Sequence, residues 1–476
     1  MLTAIVLAAG QGKRMKSSLS KVMHPIAGRP LLHYSVQAAI DAGAKKVVVV
    51  LSPGNEELVS AYLTETFAAG IVTTTIQDPP RGTGDAARVG LEALGDIEGG
   101  VLTLCGDTPL LRATDLTPLV EAANADDVRV AFMSCDLDDP SGYGRVLRDA
   151  DGHVTEIRED RDLKSEAQRA TTEINAGVYL VEAAAFRESL SKIDSSNAQS
   201  EYYLTDIVSL TRVSGRHVVA VSGAITAMQG VNDQFQLVAC EEQLYARSAR
   251  ELALAGARVA SSARVDDTVT VETGATLGPG VCLRGRTHIA SGAVLDVGTV
   301  VTDSTIAENA YVKPYSVITE SSVGLGAQIG PFAHLRPGSD IGEDAHVGNF
   351  VETKKTKLHK GAKANHLAYL GDGDVGERAN IGAGTIFCNY DGFSKSKTII
   401  GKDAFIGSDS QLVAPLTIGD GAYVATGATV TTDVPADALA ISRVKQDNKL
   451  GYASRLKSRL KGAADKKKAE AAKSDS

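Results

Sequence analysis

A six-residue period of aliphatic side chains constrains this chain more than any other feature. Val265, Val271, Leu277, Leu283, Ile289, Leu295 and Val301 stand six apart. After a one-residue slip come Ile306, Val312 and Ile318, and after a second Val323, Ile329, Leu335, Ile341 and Val347. The register returns at Leu358, Ala364, Leu370, Val375, Ile381 and Phe387, and after a gap at Ile400, Ile406, Leu412, Ile418, Val424 and Val430. Such hexapeptide repeats specify a parallel β-helix. Each hexad supplies one short strand and one turn, and its inward side chain stacks on the coil above and below. No coil buries its own apolar face, so stability comes from stacking. A prism by itself carries no chemistry.

The whole chain is too long for one core, at 476 residues. The segments before the repeat alternate. Thr3–Leu7, Lys45–Leu51, Val72–Ile76 and Val101–Cys105 read as buried strands, Pro30–Ala42 and Thr83–Leu94 as helices. That alternation predicts a parallel sheet covered on both faces, with ligands beyond the carboxyl ends of its strands. The Gly10/Gly12 loop, the Gln77–Gly84 loop and Asp107 lie there. Gly10-x-Gly12 lacks the third glycine of a dinucleotide fingerprint and the Gly-Lys-Ser/Thr ending of a P-loop, which disfavours a nicotinamide cofactor. Read alone, it is a tight turn beside two basic residues, Arg14 and Lys21.

A net charge of −9 argues against a nucleic-acid surface. The five cysteines have no metal spacing, which points to reduced thiols in a cytoplasm. The apolar start Leu2–Ala9 is short and has no basic residues ahead of it, so a signal peptide is not expected. No run of about 20 apolar residues is present for a membrane span.

Leu7-Ala8-Ala9-Gly10-x-Gly12-x-Arg14-Met15 followed by Ser20-Lys21 resembles the sugar nucleotidyltransferases. Matches continue in order: Gln77, Gly82-Thr83-Gly84, Gly106-Asp107-x-Pro109-Leu110, Gly142-Tyr143-Gly144-Arg145, Glu159, Ile174-Asn175-x-Gly177, Glu201–Asp206 and Gly230-Val231-Asn232. With the hexapeptide prism behind them, roughly residues 2–450 resemble the bifunctional family that joins uridylyl transfer to N-acetylglucosamine 1-phosphate with acetyl transfer to glucosamine 1-phosphate. The resemblance implies a Rossmann-like mixed-sheet nucleotidyltransferase domain over 1–232, a linker helix over 233–256 and a left-handed β-helix over 257–450. The 451–476 tail, rich in Lys and Ala, is expected to be disordered. Asp233–Leu254 has helical spacing that fits a linker and a surface helix of the first domain equally.

For the first site the resemblance implies UTP and Mg²⁺. Leu7, Ala8, Ala9 and Gly10 would let main chain approach the nucleotide, and Arg14 and Lys21 would draw off triphosphate charge. Gln77, Gly82 and Thr83 would read uracil, with Cys105 and Gly106 at the end of a strand beside them. Asp107 and Asn232 would hold the metal with hard oxygens. The bland role for Asp107 is a strand-end cap. Gly144, Glu159 and Asn175 would hold the sugar, although Glu159 stands among other acids. Four positions depart from the family pattern: Lys13, Ser20, Asp85 and Cys105, where Thr, Pro, His and Tyr are frequent. Asp85 is expected to place negative charge near the nucleotide loop and weaken UTP binding.

For the second site the repeat itself points to Asn389–Thr398, which ruptures the hexad count. Arg336, Lys354, His366, Tyr369, Asn380, Asn389, Tyr390 and Lys395 are unusual polar and aromatic residues in the surrounding coils. The resemblance makes this the acetyltransferase site. His366 would be the base and Glu352 its orienter, with Arg336 and Lys354 on the phosphate and Tyr369, Asn380 and Lys395 on the sugar. Ala383, Asn389, Tyr390, Ser408, Thr426 and Arg443 would line the acetyl-CoA groove. Asn380, Ser408 and Thr426 also occupy turn positions, which favour small polar residues in any such prism. Homotrimers with sites between neighbouring prisms are implied. The competing reading is a single-function sugar-1-phosphate nucleotidyltransferase whose β-helix serves only assembly; the His366, Arg336 and Lys354 set argues against it. A non-catalytic scaffold would be expected to lack Asp107, Arg14 or Lys21.

Overall fold

The computed structural model describes residues 1–125 and 127–474. They form two compact units, Met1–Asn309 and the chain from Ala310 onward. The first unit centres on a sheet whose strands, in chain order, are β1 Leu2–Leu7, β2 Val47–Leu51, β3 Val72–Ile76, β4 Gly100–Cys105, β5 Val128–Asp136, β6 Arg145–Arg148, β7 Val154–Arg158, β8 Glu173–Glu182 and β9 His217–Ser222. The order β9-β5-β8-β4-β1-β2-β3 is mixed. β1 runs parallel to β2 and β4, while β8 enters antiparallel to β4 and β5. Val47–Leu51 is buried at every position, as a central strand covered on both faces requires. The helices Leu31–Asp41 and Thr83–Leu94 match their sequence spacing to within one residue.

The helix Gln234–Leu254 is capped by Asp233, whose side chain accepts from the Gln236 amide at 2.9 Å. It buries Cys240 and Leu244 against Met15, Ile26, Leu31 and Leu110, and so belongs to this unit's packing. The first coils belong to it as well. Arg29 pairs with Asp267 at 3.0 Å, and Tyr245 donates to Asp266 at 3.1 Å. The compact division falls at Asn309/Ala310, so these coils lie within the first unit.

In both units the repeat folds as a left-handed parallel β-helix of two- to four-residue strands. In the second unit Ile329 pairs with Val347, and Leu335 with Thr353, which in turn pairs with Leu370. Nearly all the six-spaced side chains are 5 % exposed or less; Val271, half-buried near the start, is the exception. The skipped hexad at 353 is filled by Thr353, fully buried, with its hydroxyl 2.8 Å from Ser339 Oγ. A polar inward residue hid that coil from an aliphatic count.

The tail differs from expectation. Tyr452–Ser474 is a helix, exposed at almost every position whose burial is described; residues 475–476 lie outside the described residues. Ala, Lys, Arg and Leu are strong helix formers, and no proline interrupts them, so local hydrogen bonding orders backbone that has no core to join.

Candidate active sites

In the first unit a cavity of about 510 Å³ opens beyond the carboxyl ends of β1, β3 and β4. Leu7, Ala8, Ala9, Gly10, Lys21, Gln77, Gly82, Thr83, Cys105 and Asp107 all line it. Two further cavities share residues with it or with one another: one lined by Arg14, Lys21 and Asn232, the next by Arg14 and Glu159. Lys21 is shared by the first two cavities and Arg14 by the last two, so the three adjoin, with Glu159 at the far end from Gln77. Gly12 sits at φ 58°, and a Cβ there would lie 2.6 Å from Lys21 Cβ. Only glycine lets the Lys21 segment close on the loop. Asn55, 6 % exposed and not singled out in the sequence, ties the two together by donating to Ala8 O at 3.0 Å and to Ser20 Oγ at 3.3 Å. Ser20 thus supplies an acceptor that proline lacks.

Lys21 Nζ is ion-paired with Asp107 and also donates to Asn232 Oδ1 at 3.3 Å. One carboxylate and one amide oxygen thus converge on a single cationic atom. Burial pushes the Cys105 thiol up to about 12, so it stays protonated at the cleft floor. Burial likewise lifts the Glu159 carboxyl above its usual range, against a hydrogen bond from Thr205 at 3.2 Å. Gly144 lies beside Glu159, and its carbonyl accepts from the Asn175 amide at 2.8 Å, so the three sugar candidates are together.

Asp85 is more closely paired than its position in the sequence suggests. It is buried, and two guanidiniums hold its Oδ1, Arg81 at 2.8 Å and Arg88 at 2.6 Å. Burial pushes its carboxyl up, but hydrogen bonds from Gln77, Arg88 and Arg81 outweigh that and hold it below the usual range. Its charge is balanced by the two guanidiniums inside the chain, and its other oxygen accepts from the Gln77 amide of the nucleotide loop at 2.8 Å.

The second unit gathers its candidates by stacking. Asn349 and His366 are register partners, and His366 Nδ1 lies 2.8 Å from Asn349 Oδ1. With the amide oxygen accepting, the imidazole proton sits on Nδ1 and the Nε2 lone pair is left free. Asn349, missed in the sequence, takes the role expected of Glu352. Glu352 instead accepts from Arg336 at 2.7 Å and pairs in register with Tyr369. The readable signal was the offset of 17 residues, one coil, between Asn349 and His366.

Lys354 and Lys395 stand together, and the Lys395 ammonium holds Lys354 below the usual lysine range. Two adjacent cations leave a place for an anion. At Gly371 a Cβ would lie 2.5 Å from the Tyr369 hydroxyl and 2.7 Å from Asn389 Nδ2, so those two side chains close over bare backbone. Asn389 also donates to Asp372 at 2.5 Å, and Tyr390 bridges Lys395 across the inserted loop. Ala383, Ser408 and Thr426 occupy the same turn position, each two residues past Ile381, Ile406 and Val424, which pair in one ladder. The Arg443 guanidinium donates to Thr426 O beside them. Asn380 lies on that same ladder, one strand residue before Ile381.

A cleft of this kind on a mixed α/β sheet, followed by a hexapeptide column, defines a two-part transferase: nucleotidyl transfer in front and hexapeptide-type acyl transfer behind. Residues 3–235 match the nucleotidyl transferase family, and 397–432 match the bacterial transferase hexapeptide family of six repeats. The chain is 55 % identical over 468 residues to the bifunctional protein GlmU of Sorangium cellulosum, covering 98 % of each chain. It is 48 % identical to that of Anaeromyxobacter sp. strain Fw109-5, over 98 % of this chain and 95 % of the relative. It is 39 % identical to that of Geobacter sulfurreducens, over 95 % and 98 %. The chain belongs to the bifunctional GlmU family. It is an enzyme of UDP-N-acetylglucosamine biosynthesis with uridylyltransferase and acetyltransferase activities.

Proposed function

We propose that the cleft of the first unit binds UTP and N-acetylglucosamine 1-phosphate, and that the column of the second binds glucosamine 1-phosphate and acetyl-CoA. In the cleft a sugar-phosphate oxygen attacks the α-phosphorus of UTP. A new P–O bond forms, the bond to the β-phosphate oxygen breaks and pyrophosphate leaves. Gln77, Gly82 and Thr83 take the base, Gly144, Glu159 and Asn175 the sugar, and Arg14 and Lys21 balance phosphate charge. The meeting of Asp107 and Asn232 on one cation carries this reading, since hard oxygens that already share an ammonium suit Mg²⁺. When bound, the ion supplies charge neutralisation for the phosphates. Asp107 and Asn232 would hold the ion, and Lys21 beside them supplies further positive charge for the triphosphate.

In the column His366 Nε2 takes a proton from the substrate amine, whose nitrogen attacks the thioester carbonyl. A C–N bond forms, the C–S bond breaks, and the proton passes to the leaving thiolate. Asn349 holds the ring in the tautomer this needs. Arg336, Lys354 and Lys395 hold the phosphate, with Tyr369 and Asn380 on the sugar. Ala383, Asn389, Tyr390, Ser408, Thr426 and Arg443 line the acetyl-CoA groove.

The assembly we propose is a homotrimer. Tyr315, Phe332, Phe350 and Leu367 are all more than 48 % exposed, and the three aromatic rings stack at 5.4 and 5.6 Å along one edge of the column. A continuous apolar ladder of this kind is covered by another protein surface. A cytoplasmic enzyme is part of the proposal, supported by cysteines that are free thiols. Among the described residues no helix is long and apolar enough to cross a membrane. A product assay tests both reactions. Given glucosamine 1-phosphate, acetyl-CoA, UTP and Mg²⁺, the purified chain is expected to form UDP-N-acetylglucosamine, detected by mass. Formation only when N-acetylglucosamine 1-phosphate is supplied ready-made rejects the acetyl half and leaves the single-function reading.

A further inference from the structure

We propose that Asp85 is a positioning residue for the nucleobase: it fixes the Gln77 amide so that only its carbonyl oxygen meets the ligand, which selects a base carrying N–H at ring position 3. The inference rests on the assignment of Gln77 to the UTP cavity.

Gln77 is 3 % exposed and lines that cavity. Its Nε2 donates to Gly82 O at 3.0 Å and to Asp85 Oδ2 at 2.8 Å. A primary amide has two N–H groups, and both are engaged. Its Oε1 takes no hydrogen bond among the described residues and is the group left to face a ligand. Turning the amide over would set its oxygen against a carboxylate and a carbonyl, two acceptors without a proton between them. The orientation is therefore chemically forced for as long as Asp85 stays in place and ionised.

Asp85 is held in turn. Arg81, two residues ahead of the helix Thr83–Leu94, and Arg88, one turn further along it, grip its other oxygen. Arg81 also lies 5.8 Å from the centre of the Tyr202 ring. Tyr202 donates its amide to Arg81 O at 2.8 Å, and its own carbonyl accepts from Gly84 N at 2.7 Å. The chain of restraint runs from two guanidiniums through one carboxylate to one amide. Uracil offers N3–H to the fixed acceptor. Cytosine offers a bare N3 lone pair, which leaves two buried acceptors facing each other. Sites that lose a required hydrogen bond in this way discriminate strongly.

The test compares UTP with CTP as co-substrate for N-acetylglucosamine 1-phosphate, read as the ratio of the two kcat/KM values. Asp85→Asn presents either an acceptor or a donor to Gln77, so the amide is released. Its UTP-to-CTP ratio is expected to fall at least tenfold, with unchanged acetyl transfer reporting an intact chain. Arg88→Gln loosens the anchor with the carboxylate still present and should move the ratio the same way by a smaller factor. That variant also stands in should Asp85→Asn fail to fold. Parallel loss with both nucleotides, or a ratio that moves in neither variant while Gln77→Ala abolishes it, overturns the role of Asp85. A ratio unchanged in Gln77→Ala overturns the placement of the base itself, and this inference with it.

Discussion

The two reaction centres are built on opposite principles. In the cleft the charged groups are folded into one chain and partnered there: Lys21 with Asp107 and Asn232, Asp85 with Arg81 and Arg88. The loops that carry them are pinned by buried polar residues such as Asn55 and Gln77. In the column the groups are more exposed, and although Arg336 is paired with Glu352, two cations stand side by side. Lys354 and Lys395 stand against each other, and His366 is exposed on a coil edge beside Leu367. A sheet brings distant loops together at its strand ends, so a single chain can enclose a ligand. A stacked column aligns residues along its faces but cannot close around anything. The proposed homotrimer would supply a second surface to such a face.

That contrast breaks most sharply under single substitutions at the two centres. Asp107→Ala is expected to lower uridylyl transfer by about 10²–10³-fold and leave acetyl transfer unchanged. His366→Ala should lower acetyl transfer by about 10²–10⁴-fold and leave uridylyl transfer unchanged. Separate assays of the two half-reactions decide it; joint loss in either variant would deny the centres their independence.

A smaller effect follows from assembly. The intact chain should sediment near 150 kDa, three times the 49.6 kDa of one chain. Phe332→Ser combined with Phe350→Ser removes two rungs of the exposed ladder. Acetyl transfer is expected to fall by roughly tenfold as the mass drops toward one chain, while uridylyl transfer holds, since apolar contacts of this size set association. A variant that stays trimeric with full acetyl transfer would place the interface on another edge of the column.

How much of this was legible in the sequence follows from the same contrast. The column could be read almost residue by residue because its inward positions are a one-dimensional code, and Thr353 escaped only by being polar. Its cross-coil partners were harder: Asn349 meets His366 through stacking, whereas Glu352, the expected orienter, holds Arg336 instead. In the cleft, motif order gave the lining of the cavity. The neutralisation of Asp85 did not show, because Arg81 and Arg88 look like any solvated helix charges until the carboxylate between them is found buried. The tail misled in the other direction. A segment without a core need not lack structure, since local propensity alone is met by the helix Tyr452–Ser474.

The smallest effect concerns a carboxylate in the cleft unit with no cation among its leading influences. Burial, then the nearby Asp194, Glu159, Asp162 and Glu156, push Asp206 up to about 6. A carboxyl whose proton is held more tightly folded than unfolded favours the folded state at low pH. Its contribution is lost as pH rises from about 4 to about 6 and stays lost above that. Asp206→Asn should therefore raise the stability of the first unit at pH 8 by on the order of 1 kcal/mol, the partial exposure of the group screening a larger value. The gain should shrink to nothing below pH 4, where both side chains are neutral. Thermal unfolding of the two proteins at pH 4 and pH 8 separates this from the rival effect, since Asp206 also opens the helix Asp206–Val213, where a negative charge is favourable. If the asparagine variant is the less stable protein at pH 8, the helix terminus outweighs the crowding of acids, and the cleft tolerates this carboxylate without a cation to balance it.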